Sequence, residues 1–155
     1  MNDSFAPGCP LPDYGDDARI SLAHGEGGRL SRELITTLIV PSLRGSDESA
    51  TLDDGTRLPA LTGQAVFTTD SFVVSPLEFP GGDIGTLAVF GSVNDLAVSG
   101  AVPRWISLSL ILEEGFPITG LVRVLESIAR SAVRADVRVV RGDTTVVPRG
   151  AAGGL

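Results

Sequence analysis

The stretch from Asp83 to Pro103 constrains the fold most, because it has the pattern of one apolar helix with a marked start and end. Asp83 can cap the first turn, while Gly100 and then Pro103 close the last one. The interior is almost wholly apolar, which predicts a helix that is buried on most sides. At helical spacing, one stripe of this helix carries a carboxylate among apolar residues: Ile84, Ala88, Gly91, Asp95 and Val98.

Asp95 is the anomaly of this stripe, and Asn94 stands beside it. Desolvating an unpaired carboxylate is costly, so a buried Asp95 needs a cation, a metal ion or several hydrogen-bond donors. One interpretation pairs Asp95 with the nearby Arg104, or lets it cap a neighbouring segment. The other gives it a role in a metal site, and spacing alone does not separate the two.

The length, the net charge and the types of basic residue exclude several classes of function. The chain has 155 residues, of which 43% are hydrophobic and 20% charged, as expected of one soluble globular domain. A net charge of −7 with scattered basic residues argues against a nucleic-acid surface. All 12 basic residues are arginines, which excludes a P-loop lysine and Schiff-base chemistry.

The sequence contains no apolar run as long as a membrane span and no N-terminal signal pattern, so we expect a cytoplasmic protein without a membrane partner. Cys9 is the single cysteine and His24 the single histidine, which excludes an internal disulfide and a zinc site built from several such ligands. Carboxylates, hydroxyls, arginines and glycine-rich backbone remain for chemistry.

Residues 1–19 have the composition of a flexible leader, and we expect one ordered domain over residues 20–155. Ile20–Ala23 is predicted to be a short strand that leads into the glycine-rich loop His24–Gly28. A helical pattern follows the loop and is expected to stop at Pro41. Backbone amides of a glycine loop before a helix can bind phosphate, although such a loop is also often only a turn.

The polar segment from Ser42 to Gly63 is predicted to be a loop, and Gln64–Val74 is predicted to be a strand. Asp70 lies within that strand pattern, where it indicates either a site or a turn. Ser75–Gly82 is then a turn-rich connection into the apolar helix.

Arg104–Leu112 alternates between apolar and mixed positions, as in a strand with one buried face. Thr119 is expected to cap the next helix, which is amphipathic, with one apolar stripe and one solvent-exposed polar face. Val137–Val140 predicts a further strand, which delivers Arg141 to Thr145 at its carboxyl end. Asp143 therefore joins Asp70 and Asp95 as a candidate ligand; carboxylates without histidine or thiolate suit Mg²⁺ if the fold brings them together.

Four motifs carry a family resemblance over residues 20–150: LAHGEGG, the run from FTTDSFV through FPGGDIG and NDLAVSGAVPRW, LILEEGFP and RGDTTVV. In this order they resemble the N-terminal half of the HypE family of hydrogenase maturation factors. These belong to a wider group with aminoimidazole ribonucleotide synthetase. The resemblance implies an α+β fold, with a mixed β-sheet and helices packed on one face, that dimerises through its sheets and binds ATP and Mg²⁺.

The resemblance also implies roles for individual residues. The glycine loop, with Gly25, Gly27 and Gly28, would cover the nucleotide, and Asn94 and Thr145 would contact it. Three aspartates would bind the metal ion and the phosphates: Asp70, Asp95 and Asp143. One departure is Thr145, which stands where the family motif has lysine. Arg141 or Arg149 are the candidates to replace that charge.

The family makes the cyanide ligands of NiFe hydrogenase by ATP-dependent dehydration of a carbamoylated C-terminal cysteine to a thiocyanate. The second departure is that the sequence stops at Leu155, before an expected last strand, a C-terminal domain and the carrier cysteine. We therefore expect this chain to be unable to complete the reaction alone, and we assign it no catalytic residue.

The partners implied by the resemblance are a second copy of the chain, a HypF-type carbamoyltransferase and a HypC–HypD complex. An alternative function is a degenerate dimerisation or interaction module without ATP turnover. Another alternative is a different small-molecule ATP-dependent enzyme of the same group.

Overall fold

The computed structural model describes residues 14–44 and 53–155. Most of the predicted leader, including Cys9, lies outside these residues, as does part of the predicted loop from Ser42 to Gly63. The described end of the leader is tied to the domain: the Tyr14 hydroxyl lies 2.6 Å from Thr37 Oγ1, and Arg19 forms a β-bridge with Pro117. Ordered structure therefore begins before Ile20.

The first helical region follows the glycine loop, as predicted, in three consecutive segments. They are α1 (Arg29–Leu34), a π-helical segment (Ile35–Ile39) and α2 (Val40–Arg44). The prediction that Pro41 stops the helix is wrong. A proline in a helix removes one donor and crowds the carbonyl four residues earlier, and here that carbonyl belongs to the wider π-helical segment.

The apolar stretch forms α3 (Ile84–Val98), with the predicted cap: the Thr86 amide donates to Asp83 Oδ1 over 2.8 Å. Gly85 permits close packing of α3 on the next helix, because a Cβ atom there would lie 2.8 Å from the Val124 carbonyl oxygen. Gly100 follows the helix with a φ of +73°, in the left-handed region expected at a helix end.

The predicted strands on either side of the next helix form a parallel pair, β3 (Trp105–Glu113) and β4 (Arg138–Val147), joined through α4 (Ile118–Arg134). β4 is longer than the predicted Val137–Val140, because the residues from Arg141 to Thr145 continue the pairing with β3 after a register shift. These residues therefore belong to the strand and do not follow its end.

The N-cap of α4 is Pro117, so the prediction that Thr119 caps the helix is wrong. The apolar stripe of α4 is buried as predicted, and it serves two clusters. One cluster joins α4 to the first helical region and β3, and includes Leu34, Leu38, Leu112, Leu121 and Leu125; the other joins it to α3 and β4, and includes Ile84, Val89, Val124, Ile128 and Val139.

Two strand predictions are wrong. Leu22–His24 is a 3₁₀ turn, so Ile20–Ala23 is not a strand. Gln64–Val74 has no strand pairing, because no strand within residues 14–44 and 53–155 lies alongside it. The predicted turn before α3 instead contains a small antiparallel hairpin, β1 (Glu78–Phe79) with β2 (Gly82–Asp83).

The chain is an α+β domain, as predicted, with its helices packed against the apolar face of the β3–β4 pair. Within residues 14–44 and 53–155, no helix combines the length and apolar character needed to cross a bilayer. The glycine loop, the end of β4 and the extended segment before the hairpin all lie at the margins of this core.

Candidate functional site

The glycine loop is held against β4 by a contact that only glycine allows. A Cβ atom on Gly25 would lie 2.6 Å from the amide nitrogen of Val146, and Gly27 has a φ of +74°. Before the loop, the Ser21 amide donates to His24 Nδ1 over 3.0 Å, which fixes the ring as the tautomer protonated at Nε2 when it is neutral. The loop therefore has a defined position on the strand.

Hydrogen bonds within the loop close it on itself. The Gly25 amide donates to the Leu22 carbonyl over 2.9 Å, and the Gly27 amide donates to Ser31 Oγ over 3.0 Å. Ser31 is buried and donates in turn to the Ala23 carbonyl over 3.1 Å. Sequence reasoning missed Ser31, and a polar residue among the apolar positions of the following helix was the available signal. Binding a phosphate through these two amides requires them to exchange partners.

Beside this contact, a pocket of 280 Å³ is lined by the glycine loop and by β4. Gly25, Gly27 and Ser31 line one side, and a continuous stretch of β4 lines the other: Arg141, Gly142, Asp143 and Thr144. Thr145, the next residue along β4, is exposed. The structure thus brings two of the predicted glycines and one predicted aspartate to one pocket.

Asp95 is exposed, so the prediction of a buried carboxylate is wrong. The buried residues of α3 are Ile84, Gly85 and Val89, all in its N-terminal half, because α4 covers only that part. Among the described residues, Asp95 forms no salt bridge with Arg104. Its carboxylate instead accepts from the Thr68 hydroxyl over 3.3 Å. Asn94, beside it, is also exposed.

Asp70 lines a second and larger cavity of 560 Å³, between α3, β3 and the segment from Thr69 to Val73. Phe72 fixes this segment on α3, because its ring occupies the space that a side chain on Gly91 would need. Asp70 and Asp95 therefore belong to the same edge of the domain, while Asp143 lies at the glycine-loop pocket. Within the part of the chain that the structure describes, no group of three or more His, Cys, Asp or Glu residues is placed to hold a metal ion.

Two further carboxylates are held by hydrogen bonds. Burial raises the pKa of Asp83, but hydrogen bonds from Ser127 and the Thr86 amide outweigh it and hold the pKa below its ordinary value. The Ser127 hydroxyl lies 2.6 and 2.7 Å from the two carboxylate oxygens of Asp83. This contact ties the start of α3 to α4.

Glu113, at the end of β3, accepts from four backbone amides of the C-terminal tail, those of Gly150, Ala152, Gly153 and Gly154, at 2.7 to 3.3 Å. The amides of Gly150 and Ala152 contribute most to lowering its pKa. Sequence reasoning missed this role, for which the glycine-rich ending RGAAGGL was the available signal. Because Ala151, Ala152 and Leu155 line the larger cavity, Glu113 positions part of its wall.

Residues 49–154 match the model of one protein family, the N-terminal domain of AIR synthase related proteins. A carbamoyl dehydratase HypE from Rhodobacter capsulatus is 48% identical over 141 residues, which cover 90% of this chain and 41% of that protein. The HypE of Escherichia coli K12 is 47% identical over 137 residues, covering 85% of this chain and 40% of the relative.

Two solved structures share the fold. A crystal structure of HypE in complex with ATP matches 86% of this chain and 39% of its own, with 48% identity and a TM-score of 0.80. A structure of a HypE–HypF complex matches 55% of this chain and 28% of its own, with 49% identity and a TM-score of 0.54. The chain thus spans well under half the length of the relatives it matches.

Proposed function

The chain belongs to the AIR synthase related family through its N-terminal domain, and on that premise we propose that it is the ATP-binding domain of a HypE-type hydrogenase maturation protein. One observation carries the proposal. The glycine loop and the Gly142–Thr144 stretch of β4 share one pocket, in a chain 48% identical to a HypE solved in complex with ATP. Backbone amides beside a carboxylate are the groups that bind a magnesium nucleotide.

In this proposal the glycine loop covers the phosphates through Gly25, Gly27 and Gly28, with Asn94 and Thr145 as further nucleotide contacts. Asp143, Asp70 and Asp95 are the carboxylates available to Mg²⁺. Mg²⁺ commonly uses one or two carboxylates together with phosphate oxygens and water, so a site without three protein carboxylates grouped together fits this ion. When bound, the ion neutralises phosphate charge and orients the terminal phosphoryl group.

The reaction that we propose for the whole protein is the ATP-dependent dehydration of a carbamoylated cysteine to a thiocyanate, which supplies the cyanide ligands of NiFe hydrogenase. The supporting evidence is the similarity to carbamoyl dehydratases over 90% of this chain, although it spans only 41% of the relative's length. A HypF-type carbamoyltransferase and a HypC–HypD complex are the proposed partners, the first supported by the solved HypE–HypF complex. We propose that this metallocentre assembly takes place in the cytoplasm.

We also propose that the domain forms homodimers through the extended segment from Gln64 to Val74. The segment has strand-forming residues without a strand partner in the described chain, and Phe67 and Val73 are 85% and 86% exposed. Large exposed apolar residues in an extended segment favour pairing with another chain. Asp70 lies within this segment, so Asp70 would lie close to the second copy in such a dimer.

A second candidate function, a dimerisation or interaction module without ATP turnover, is favoured by one observation. Thr145 is neutral where the family motif has lysine, and the Gly25 and Gly27 amides already have partners inside the chain. Isothermal titration calorimetry of the folded protein with ATP and Mg²⁺ separates the two. Saturable binding supports the nucleotide-binding domain, whereas no binding by a folded, dimeric sample would leave the interaction module.

A further inference from the structure

Arg141 is the only basic side chain among the residues that line the glycine-loop pocket. It lies on β4, across the pocket from Gly25 and Gly27, and is half-buried. The other nearby arginine of this region, Arg149, packs against Gly115 at the start of the tail and does not line the pocket. Any cationic contact that this pocket makes from the described chain therefore comes from Arg141.

Among the described residues, the hydrogen bonds of Arg141 do not compensate its charge. Nη2 donates to the carbonyl oxygen of Gly55 over 2.6 Å, and that acceptor is neutral. Nε is buried and has no hydrogen-bond partner, and no carboxylate of the described residues forms a salt bridge with this guanidinium. A buried donor without an acceptor is costly, and a half-buried cation without an anion is costly too. A bound anion in the pocket would compensate the charge of the guanidinium.

The geometry points to Arg141 as the residue that recognises the phosphate oxygens of the nucleotide in this pocket, an inference that rests on the proposed function. A guanidinium is suited to this role because two of its N–H groups can donate together to two oxygens of one phosphate. Asp143, two residues along the strand, lies on the same side of β4, where it is available to the metal ion. In this arrangement Arg141 binds the negatively charged phosphate oxygens, and Asp143 is available to the positively charged metal ion.

The contact to Gly55 gives Arg141 a second role. By holding that carbonyl, Arg141 attaches the segment that begins at Asp53 to the rim of the pocket. If holding this segment were the only role of Arg141, its replacement would lower the stability of the fold. It would not change the affinity for phosphate-containing ligands relative to that for adenosine. The affinity for phosphate therefore distinguishes anion recognition from a merely structural contact.

The test compares Arg141→Gln and Arg141→Lys with the wild-type chain, using calorimetric titration with Mg-ATP, with tripolyphosphate and with adenosine. Arg138→Gln is the matched control, because Arg138 is an exposed arginine on the same strand that does not line the pocket. We expect Arg141→Gln to weaken ATP and tripolyphosphate binding by about 10- to 100-fold, the usual effect of losing a charged hydrogen bond. Adenosine binding should be unchanged, Arg141→Lys should be intermediate, and Arg138→Gln should match the wild type.

The inference is overturned if folded Arg141→Gln binds ATP as tightly as the wild type, or if it loses ATP and adenosine affinity equally. In the first case the proposed function stands without this residue. A wild-type chain that binds neither ATP nor tripolyphosphate overturns both proposals, whereas tripolyphosphate binding that depends on Arg141 without ATP binding overturns only the proposed function. Should Arg141→Gln not fold, wild-type ATP affinity in Arg141→Lys overturns the inference.

Discussion

Gly25 lies directly against Val146: an ideal Cβ atom on Gly25 would stand 2.6 Å from the Val146 amide nitrogen and 2.8 Å from its Cβ atom. The contact joins the glycine loop, which precedes the first helix, to the last strand of the described chain. It places the loop opposite Arg141 and Asp143, which line the same pocket. The absence of a side chain at residue 25 thus determines how the loop meets the strand.

Gly25→Ala should push the loop away from β4 and widen the pocket. We expect the free energy of unfolding to fall by about 1–3 kcal/mol, as for overpacking of a tight contact, together with weaker Mg-ATP binding. Gly55→Ala is the control for stability, because no atom lies within 4 Å of a Cβ atom there and its φ is not in the left-handed region. Chemical denaturation of both variants measures the difference; equal stability of Gly25→Ala and the wild type would contradict the contact.

Asp95→Asn should weaken Mg-ATP binding and leave the fold intact. The side chain is exposed and forms no salt bridge within the described residues, so its charge is dispensable for stability. We expect a midpoint of thermal unfolding close to that of the wild type and a calorimetric affinity for Mg-ATP reduced by about tenfold or more. Unchanged affinity in the folded variant would remove Asp95 from the proposed metal and phosphate ligands.

Glu113 should make the attachment of the C-terminal tail depend on pH. Hydrogen bonds from Gly150, Ala152 and the two following amides hold its pKa below the ordinary value of 4.5 in the folded state. The resulting stabilisation is complete above the unfolded pKa and is lost as pH falls through the lower folded pKa. We expect the protection factors of the amides of residues 150–154 to fall on acidification, when the exchange rates are compared with the intrinsic rates at each pH.

Glu113→Gln keeps the shape of the side chain and removes its charge, so the variant should show rapid tail exchange already at neutral pH. Glu114→Gln, at the adjacent position, is the control and should behave like the wild type. Tail exchange in Glu113→Gln that equals the wild-type rate at neutral pH would show that the four amides are held by other contacts.

Phe67→Asp should shift the proposed homodimer towards monomer. Phe67 is 85% exposed in the extended segment, and a carboxylate there would have to be desolvated in an interface between two copies. Val133→Asp is the matched control, because Val133 is also exposed (62%) but lies on α4. Sedimentation velocity over a range of concentrations reports the state; a wild-type chain that stays monomeric would contradict the proposal.

Local patterns predicted the elements whose determinants are local. The Asp83 cap, the alternation that forms β3 and the apolar stripe of α4 all follow from short-range spacing. The same reasoning wrongly predicted that the helix stops at Pro41. The helix widens into a π-helical segment before this proline, and spacing alone does not predict that change. Local propensity therefore gave the element types, while the ends of the elements depended on their surroundings.

The candidate site was less predictable because it depends on which elements become neighbours. Asp95 was expected to be buried from the apolar character of its helix, yet α4 covers only the first half of α3. Gln64–Val74 has strand propensity, but pairing requires a neighbour that the described chain does not provide. The glycine loop and Asp143 were identified as candidates from motifs, whereas their meeting at one pocket required the three-dimensional structure.

The central claim is that the glycine-loop pocket binds Mg-ATP, and a ¹H–¹⁵N NMR titration of the chain tests it most directly. We predict saturable shifts of the backbone amides of Gly25, Gly27, Gly142 and Thr144, with little change on the exposed face of α4. The Gly25 and Gly27 amides should respond strongly, since they must exchange their bonds to Leu22 and Ser31. Shifts confined to the larger cavity around Asp70, or no saturable shift at all, would contradict the claim.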